Sequence, residues 1–256
     1  MDEAHAIGLY GPRGAGVVEH LDFTAHQSNQ YSGRTTMDRV DVISGSTSKG
    51  HGTMGGYIAS SKRLIDMIRS VSHGFIFTTT QSPAIMAGAR AAIQYQMHNI
   101  GSRVALQRNV LAVKRKMAQF DLPVLPNRSH LVPIMVGDAE LARRVTDILF
   151  DEYNIYVQSI NSPTVAVGTE RFRINPTGAH GPAQQDALVK ALVEIWACLG
   201  LRKASDWQRA GAWGREDSAL GQLWTDEQLG LTTRVVHHKH FPIPVEEGLR
   251  DTLSPS

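Results

Sequence analysis

The 256-residue chain carries 26 Lys and Arg against 24 Asp and Glu, a formal charge of +2, with 42% hydrophobic and 20% charged residues. It is long enough for one large or two smaller cores and too near neutrality for nucleic acid to be its main partner. A single cysteine, Cys198, excludes an internal disulfide, and no run of about 18 apolar residues offers a membrane span.

Along the chain the pattern is that of an alternating α/β protein followed by a tail. Residues 24–36 read as a polar surface insertion. Val40 to Ser44 and Gly56 to Ala59 read as short buried strands with a glycine-rich turn between them. Leu64, Ile65, Ile68 and Val71 fall at helical spacing, and residues 83–98 and 104–120 repeat that spacing, the second with a basic outer face. The break Leu122-Pro-Val-Leu-Pro126 predicts entry into a smaller domain, with strands at 131–136 and 155–158 around a helix at 139–150. A third strand is predicted at 172–175 and a closing helix at 182–199, with Pro182 in its first turn and Cys198 as a buried thiol in a reducing compartment. The predicted division is therefore 1–121, 122–204 and a C-terminal extension 205–256, whose Trp207, Trp213 and Trp224 can dock back on the body.

Chemistry concentrates at two places. Lys49 ends the hydroxyl-rich, glycine-rich string Ser44-Gly-Ser-Thr-Ser-Lys49, and Asp2 and His5 stand at the head of the chain. An amine in such a turn, with a carboxylate and an imidazole, is what pyridoxal phosphate requires. The lysine bonds the cofactor's carbonyl carbon, Ser46 and Thr47 take phosphate, and the carboxylate keeps the pyridine nitrogen protonated. Alone, each signal has a plainer reading. A lysine in a glycine-rich turn is more often a solvated loop residue, and paired Arg171 and Arg173, on one side of a strand by its period of two, are usually surface charge. Asp-Glu-Ala-His also suggests a helicase, but that chemistry needs a Gly-x-x-x-x-Gly-Lys-Ser/Thr loop, and the chain contains no such string. His237-His238-Lys239-His240 lacks cysteine or acidic companions at ligand spacing, so no metal site is predicted. The sequon Asn127-Arg-Ser129 carries no meaning in a reducing compartment.

Several segments, spanning about residues 2 to 205, resemble the α-oxoamine synthases, specifically their 5-aminolevulinate synthase branch. Asp2-Glu-Ala-His-Ala-Ile-Gly-Leu-Tyr-Gly-Pro-Arg-Gly-Ala-Gly-Val17 is similar to the family's DEAHxxGxxGxxGxGV stretch, and Ser44 to Lys49 to its G-T-x-x-K. Gly55 to Ser60 and Gly74 to Thr79 resemble the next two blocks. Ile155 to Val165 and Gly168 to Arg173 are the most diagnostic, and Gln222 to Gly230 is similar to an extension of mitochondrial members. The resemblance implies a C-terminal portion of an aspartate-aminotransferase-type (fold type I) enzyme that binds pyridoxal 5'-phosphate. It assigns Asp2 to the pyridinium, His5 to the phenolic oxygen, Ser46 to the phosphate, Lys49 to the covalent bond, and Thr78 and Thr79 to the phosphate of a partner subunit in a homodimer. It assigns Thr164 to the distal carboxylate of the acyl donor and Arg173 to the carboxylate of the amino acid. The implied reaction is condensation of glycine with succinyl-CoA to 5-aminolevulinate, CoA and CO2, in the mitochondrial matrix, the first step of haem biosynthesis.

Two departures flank the cofactor residues. Lys49 is followed by Gly50-His51-Gly52-Thr53, where the family has a small residue, an aromatic and Gly-Cys, and the phosphate loop ends Thr80-Gln81-Ser82-Pro83 instead of Ser-Leu-Pro-Pro. Another acyltransferase of the same superfamily and a non-catalytic remnant are the alternatives these departures leave open. Family members also carry a long segment ahead of Asp-Glu-Ala-His that supplies a ring-stacking aromatic residue and much of the acyl-CoA site, so the chain is expected to be part of a larger enzyme.

Overall fold

The computed structural model of the protein describes residues 1–212 and 220–231. They fall into two compact units, Met1–Ile100 and Gly101 onward. Trp213 and the His237 to His240 cluster lie outside the described residues.

In the first unit, α1 (Val17–Leu21), α2 (Phe23–Ser28) and a 3-10 turn (Thr36–Arg39) precede β1 (Val42–Ser46) and β2 (Gly56–Ser60), followed by α3 (Lys62–Val71), α4 (His73–Ile76) and α5 (Pro83–His98). The strands form an antiparallel ribbon with Gly45 opposite Tyr57, so the tyrosine ring lies where a side chain on residue 45 would be. Met1 to Glu3 runs beside β1 in parallel, tied by Glu3 N–H to Ser44 O (2.8 Å) and Ser44 N–H to Met1 O (2.9 Å). The two strands are half-buried or exposed along their length, against the buried strands predicted, because a two-stranded ribbon does not bury both faces. Helices α3 and α5 begin where the sequence provides caps: Ser61 Oγ accepts from Leu64 N–H, and Ser82 Oγ from Ile85 N–H ahead of Pro83. The polar stretch 24–36 is largely exposed, but its first part is helical and buries Phe23 and His26 at its base.

The second unit contains α6 (Gly101–Gln119), β3 (Val132–Met135), α7 (Ala139–Tyr153), β4 (Gln158–Ile160), β5 (Arg171–Ile174), α8 (Pro182–Leu199) and α9 (Ala204–Arg209). The three strands are antiparallel in the order β3-β5-β4. One face of this sheet meets the apolar sides of α6, α7 and α8 around Phe172, Ile134, Leu149, Leu192 and Met117, all essentially inaccessible to solvent. β4 lies later than the predicted 155–158, because Asn154 in left-handed backbone ends α7 and Ile155 N–H closes its last turn on Leu149 O. Cys198 is exposed rather than buried: α8 presents Val189, Leu192 and Trp196 to the core, and residue 198 falls on the helix flank.

The unit boundary precedes α6, whereas the sequence break suggested one at 121/122. Val110, Val113 and Met117 of α6 belong to the core of the second unit, which is why the helix goes with it. Residues 220–231 belong to the same unit, with Trp224 and Leu229 buried. Lys114 Nζ donates to Gly221 O (3.1 Å), and Arg108 Nε to Leu229 O (2.6 Å).

Candidate active site

The head of the chain is held by two buried glutamates. Glu3 Oε2 and Oε1 accept from Val17 N–H (2.9 Å) and Val18 N–H (2.8 Å), and the Glu3 carbonyl accepts from Ala6 and Ile7 N–H. Glu19 accepts from Ala15 N–H (2.9 Å), Arg13 N–H (3.3 Å) and Arg13 Nε (2.9 Å). Both are 1% exposed. Their carboxylates explain two of the recurrent glycines. A Cβ on Gly11 would lie 2.1 Å from Glu19 Oε2 and one on Gly16 would lie 2.5 Å from Glu3 Oε2, while φ is +84° and +121° at these positions. Only glycine combines that space with that backbone.

Flanking Glu3, Asp2 and His5 project beside the ribbon end. Asp2 Oδ1 accepts from Ala4 N–H (3.0 Å) and from Ser44 Oγ (3.0 Å). These bonds, aided by the nearby Lys49 and His5, hold its carboxyl below the usual carboxylate range, so it is an anion throughout the neutral region. Lys49 Nζ and His5 Nε2 lie a hydrogen bond apart at 2.9 Å.

Lys49 opens a tight turn between β1 and β2, closed by Gly52 N–H to Lys49 O (3.0 Å). Gly50 inside it lies against Ile7: a Cβ there would sit 2.2 Å from Ile7 O, so no other residue brings the turn this close to the Asp2–His5 segment. Gln96 of α5 donates to Gly50 O from outside. Ser46 Oγ is 2.6 Å from Ser48 Oγ, and Thr47 Oγ1 donates to Met54 O (2.9 Å), so the hydroxyls predicted for phosphate cluster in this turn with Thr47 already engaged. His51 Nδ1 is buried with no hydrogen-bond partner among the described residues, and burial pushes the imidazole below the usual histidine range.

The structure thus brings Asp2, His5, Ser46 and Lys49 together. Thr78 and Thr79 lie on the same unit, in the exposed segment between α4 and α5. Thr164 and Arg173 belong to the second unit. Thr164 is exposed, its N–H bonded to Asn161 O (3.0 Å), and Arg173 sits on the central strand between Pro133 and Gln158. Arg171 and Arg173 both point away from the core while Phe172 and Ile174 enter it. They differ in engagement: Arg171 Nε donates to Thr169 O (2.8 Å), whereas the Arg173 guanidinium has no partner among the described residues. Sequence reasoning missed Ser44, which orients Asp2, and the two glutamates. The signal for them was acidic residues set among closely spaced glycines.

The profile of the class I and II aminotransferases matches residues 1–192. The mitochondrial 5-aminolevulinate synthase of Neurospora crassa is 52% identical over 238 residues, 91% of this chain and 38% of that protein. The mitochondrial enzyme of the same name from Saccharomyces cerevisiae is 46% identical over 91% of the chain and 45% of its own length. The chain therefore spans less than half the length of these curated relatives. Among solved structures, SPT with PLP is 25% identical with a TM-score of 0.65, over 78% of this chain and 47% of that one. Sphingomonas wittichii serine palmitoyltransferase is 22% identical with a TM-score of 0.66 over the same shares.

Proposed function

The chain belongs to the class I and II aminotransferase family and has the α/β fold of its aspartate-aminotransferase-type members, and from that premise we propose that it is the lysine-bearing part of a 5-aminolevulinate synthase. Such an enzyme condenses glycine with succinyl-CoA on pyridoxal phosphate in the mitochondrial matrix, as a homodimer. The observation that carries this reading is the convergence of Lys49, His5 and an anionic Asp2 on one ribbon end. The identity with mitochondrial 5-aminolevulinate synthases supports the choice of substrates and compartment.

The residues present suit the cofactor. Asp2 meets the requirement for a carboxylate that stays charged against a protonated pyridine nitrogen, because its two hydrogen bonds stabilise the anion. The amine of Lys49 is within a hydrogen bond of His5, a group able to hold or release a proton there. Ser46, Thr78 and Thr79 supply hydroxyls for phosphate, the last two to the partner's cofactor. Pyridoxal phosphate, when bound, supplies an electron sink for the carbanion at glycine's α-carbon.

The chain's own residues then divide the work. Asp2 keeps the sink protonated. Lys49 removes the α-proton as general base, and the Nε2 of His5 stands 2.9 Å from that nitrogen to share its proton. Arg173 clamps the glycine carboxylate. A guanidinium suits that task because it offers paired donors and does not release a proton at working pH, and its freedom from other partners among the described residues supports the assignment over Arg171. Thr164, nine positions earlier, hydrogen-bonds the distal carboxylate of succinyl-CoA. The test is an assay of 5-aminolevulinate formation by a chimera that supplies, ahead of Met1, the corresponding portion of the Saccharomyces relative. Turnover with succinyl-CoA exceeding that with a longer uncharged acyl-CoA is expected, and preference for the uncharged donor would turn the assignment to another acyltransferase.

A further inference from the structure

Glu3 lies between the two groups that meet the cofactor under the reading above, yet its side chain turns away from both. It is 1% exposed, and both oxygens are consumed by Val17 and Val18 N–H at 2.9 and 2.8 Å. Its main chain is fixed at the same time: the N–H donates to Ser44 O on β1, and the carbonyl receives Ala6 and Ile7 N–H in the turn that carries His5. One residue therefore joins three things: the β1 strand whose Ser44 orients Asp2, the turn that aims His5 at Lys49, and the glycine-rich segment that returns at Gly16. Gly16 is shaped for this contact, since a Cβ on it would fall 2.5 Å from a Glu3 oxygen.

We propose that Glu3 is a positioning residue for the cofactor-facing pair: its carboxylate, clamped on the amides of Val17 and Val18, fixes the Asp2–His5 segment so that His5 Nε2 meets Lys49 Nζ. The proposal rests on the cofactor-site reading of Lys49. A buried carboxylate accepting two amide hydrogens forms charge-assisted bonds, which are shorter and stiffer than neutral ones. Glutamine of the same shape places an NH2 against one of those amides, a donor facing a donor, and must swing out of the clamp. The neighbouring clamp serves as an internal comparison. Glu19 is equally buried and binds amides in the same way, but its partners are Arg13 and Ala15, and Arg13 in turn reaches His26. Among the described residues it makes no hydrogen bond to the Asp2–His5 segment or to β1, so its loss disturbs the segment 11–20 and leaves the Lys49–His5 pair in place.

The experiment is a nitrogen-15 NMR titration of the His5 imidazole in the whole chain, assigned by its loss in His5→Gln. Lys49→Ala sets the midpoint that His5 has without the Lys49 amine. Glu3→Gln is expected to move the His5 midpoint to that of Lys49→Ala, Gly16→Ala to move it the same way by displacing the carboxylate, and Glu19→Gln to leave it at the parent value. If Glu3→Gln and Gly16→Ala lower the thermal midpoint while His5 titrates as in the parent, the clamp is structural only and the proposal is overturned. Equal shifts from Glu19→Gln would overturn it too, as general loosening. Should Glu3→Gln fail to fold, Gly16→Ala against Glu19→Gln decides. Borohydride reduction of the parent with pyridoxal phosphate runs alongside: absence of an adduct on Lys49 defeats the cofactor reading, and the His5 titration still decides the clamp.

Discussion

At the scale of single residues, the assignments separate by what each group can do once its neighbours are counted. Arg171 and Arg173 are indistinguishable by strand periodicity, and the structure distinguishes them through the Thr169 carbonyl that holds Arg171. In the chimera, Arg173→Leu is expected to raise the KM for glycine by about a hundredfold or more, since a bidentate charged partner is lost, and Arg171→Leu to change it less than threefold. Equal effects from the two would remove Arg173 from the site. Thr164→Val should weaken succinyl-CoA about ten- to a hundredfold and leave glycine nearly unchanged, because a hydrogen bond to a charged oxygen contributes roughly 1.5 to 3 kcal/mol. Steady-state kinetics with both substrates varied checks this, and an unchanged KM for succinyl-CoA contradicts it. The grouping of Lys49, Asp2 and His5 at one ribbon end was anticipated in the sequence, because the proposed chemistry calls for those residue types. Glu3, Glu19 and Ser44 were not, because a buried carboxylate or hydroxyl that serves backbone amides or a neighbouring side chain is recognised only after the chain has folded back on itself.

Among the elements, local signals performed best where they were self-contained. Pro182, predicted for the first turn of the closing helix, opens α8, and the structure adds side-chain caps at Ser61, Ser82 and Asp138 that no prediction had singled out. What the pattern could not supply was how much of each element is covered. β1 and β2 read as buried from their apolar content, but coverage depends on the layers packed against a strand, and a ribbon of two strands provides few. Cys198 was misjudged for a related reason: a helix apolar nearly all round conceals which flank faces out. Two glycines of the 8–16 segment serve two separate carboxylates, Gly11 that of Glu19 and Gly16 that of Glu3. Gly11→Ala combines a backbone angle of +84° with a Cβ 2.1 Å from Glu19, so a loss of about 2 kcal/mol or more is expected, about 1 to 2 from the left-handed backbone and the rest from displacing a buried carboxylate. Gly33→Ala, also at positive φ but with open space around it, should cost only the backbone part. Chemical denaturation of both variants measures this, and equal losses would show that the carboxylate contact contributes nothing.

For the molecule as a whole, the pH response offers a test independent of activity. Lys114 is 1% exposed and donates to the carbonyls of Asn127, Ser129 and Gly221 at 3.0, 3.1 and 3.1 Å, and burial brings its pKa down to about 8. Between about 8 and the unfolded value of 10.5 the unfolded chain binds the extra proton, so stability contributed through this group rises with pH across that window. The full span corresponds to at most about 3.5 kcal/mol at roughly 1.4 per pH unit. Urea unfolding at pH 7.5 and pH 10 is expected to show the parent gaining relative to Lys114→Met, and parallel profiles would contradict this. The docking of Trp224 on the body was anticipated, but not the buried Lys114 that holds the Gly221 carbonyl, since a lysine in a basic helix face reads as solvated.

The central claim is that Lys49, held by His5 and the Asp2 segment, is the site of covalent cofactor attachment. Treating the whole chain with pyridoxal phosphate, reducing with borohydride and mapping the adduct by peptide mass spectrometry tests it most directly. The account predicts a phosphopyridoxyl group on Lys49 at a stoichiometry well above that of any other lysine, abolished in Lys49→Ala and diminished in His5→Gln. Label distributed evenly over surface lysines, with Lys49→Ala indistinguishable from the parent, would contradict it.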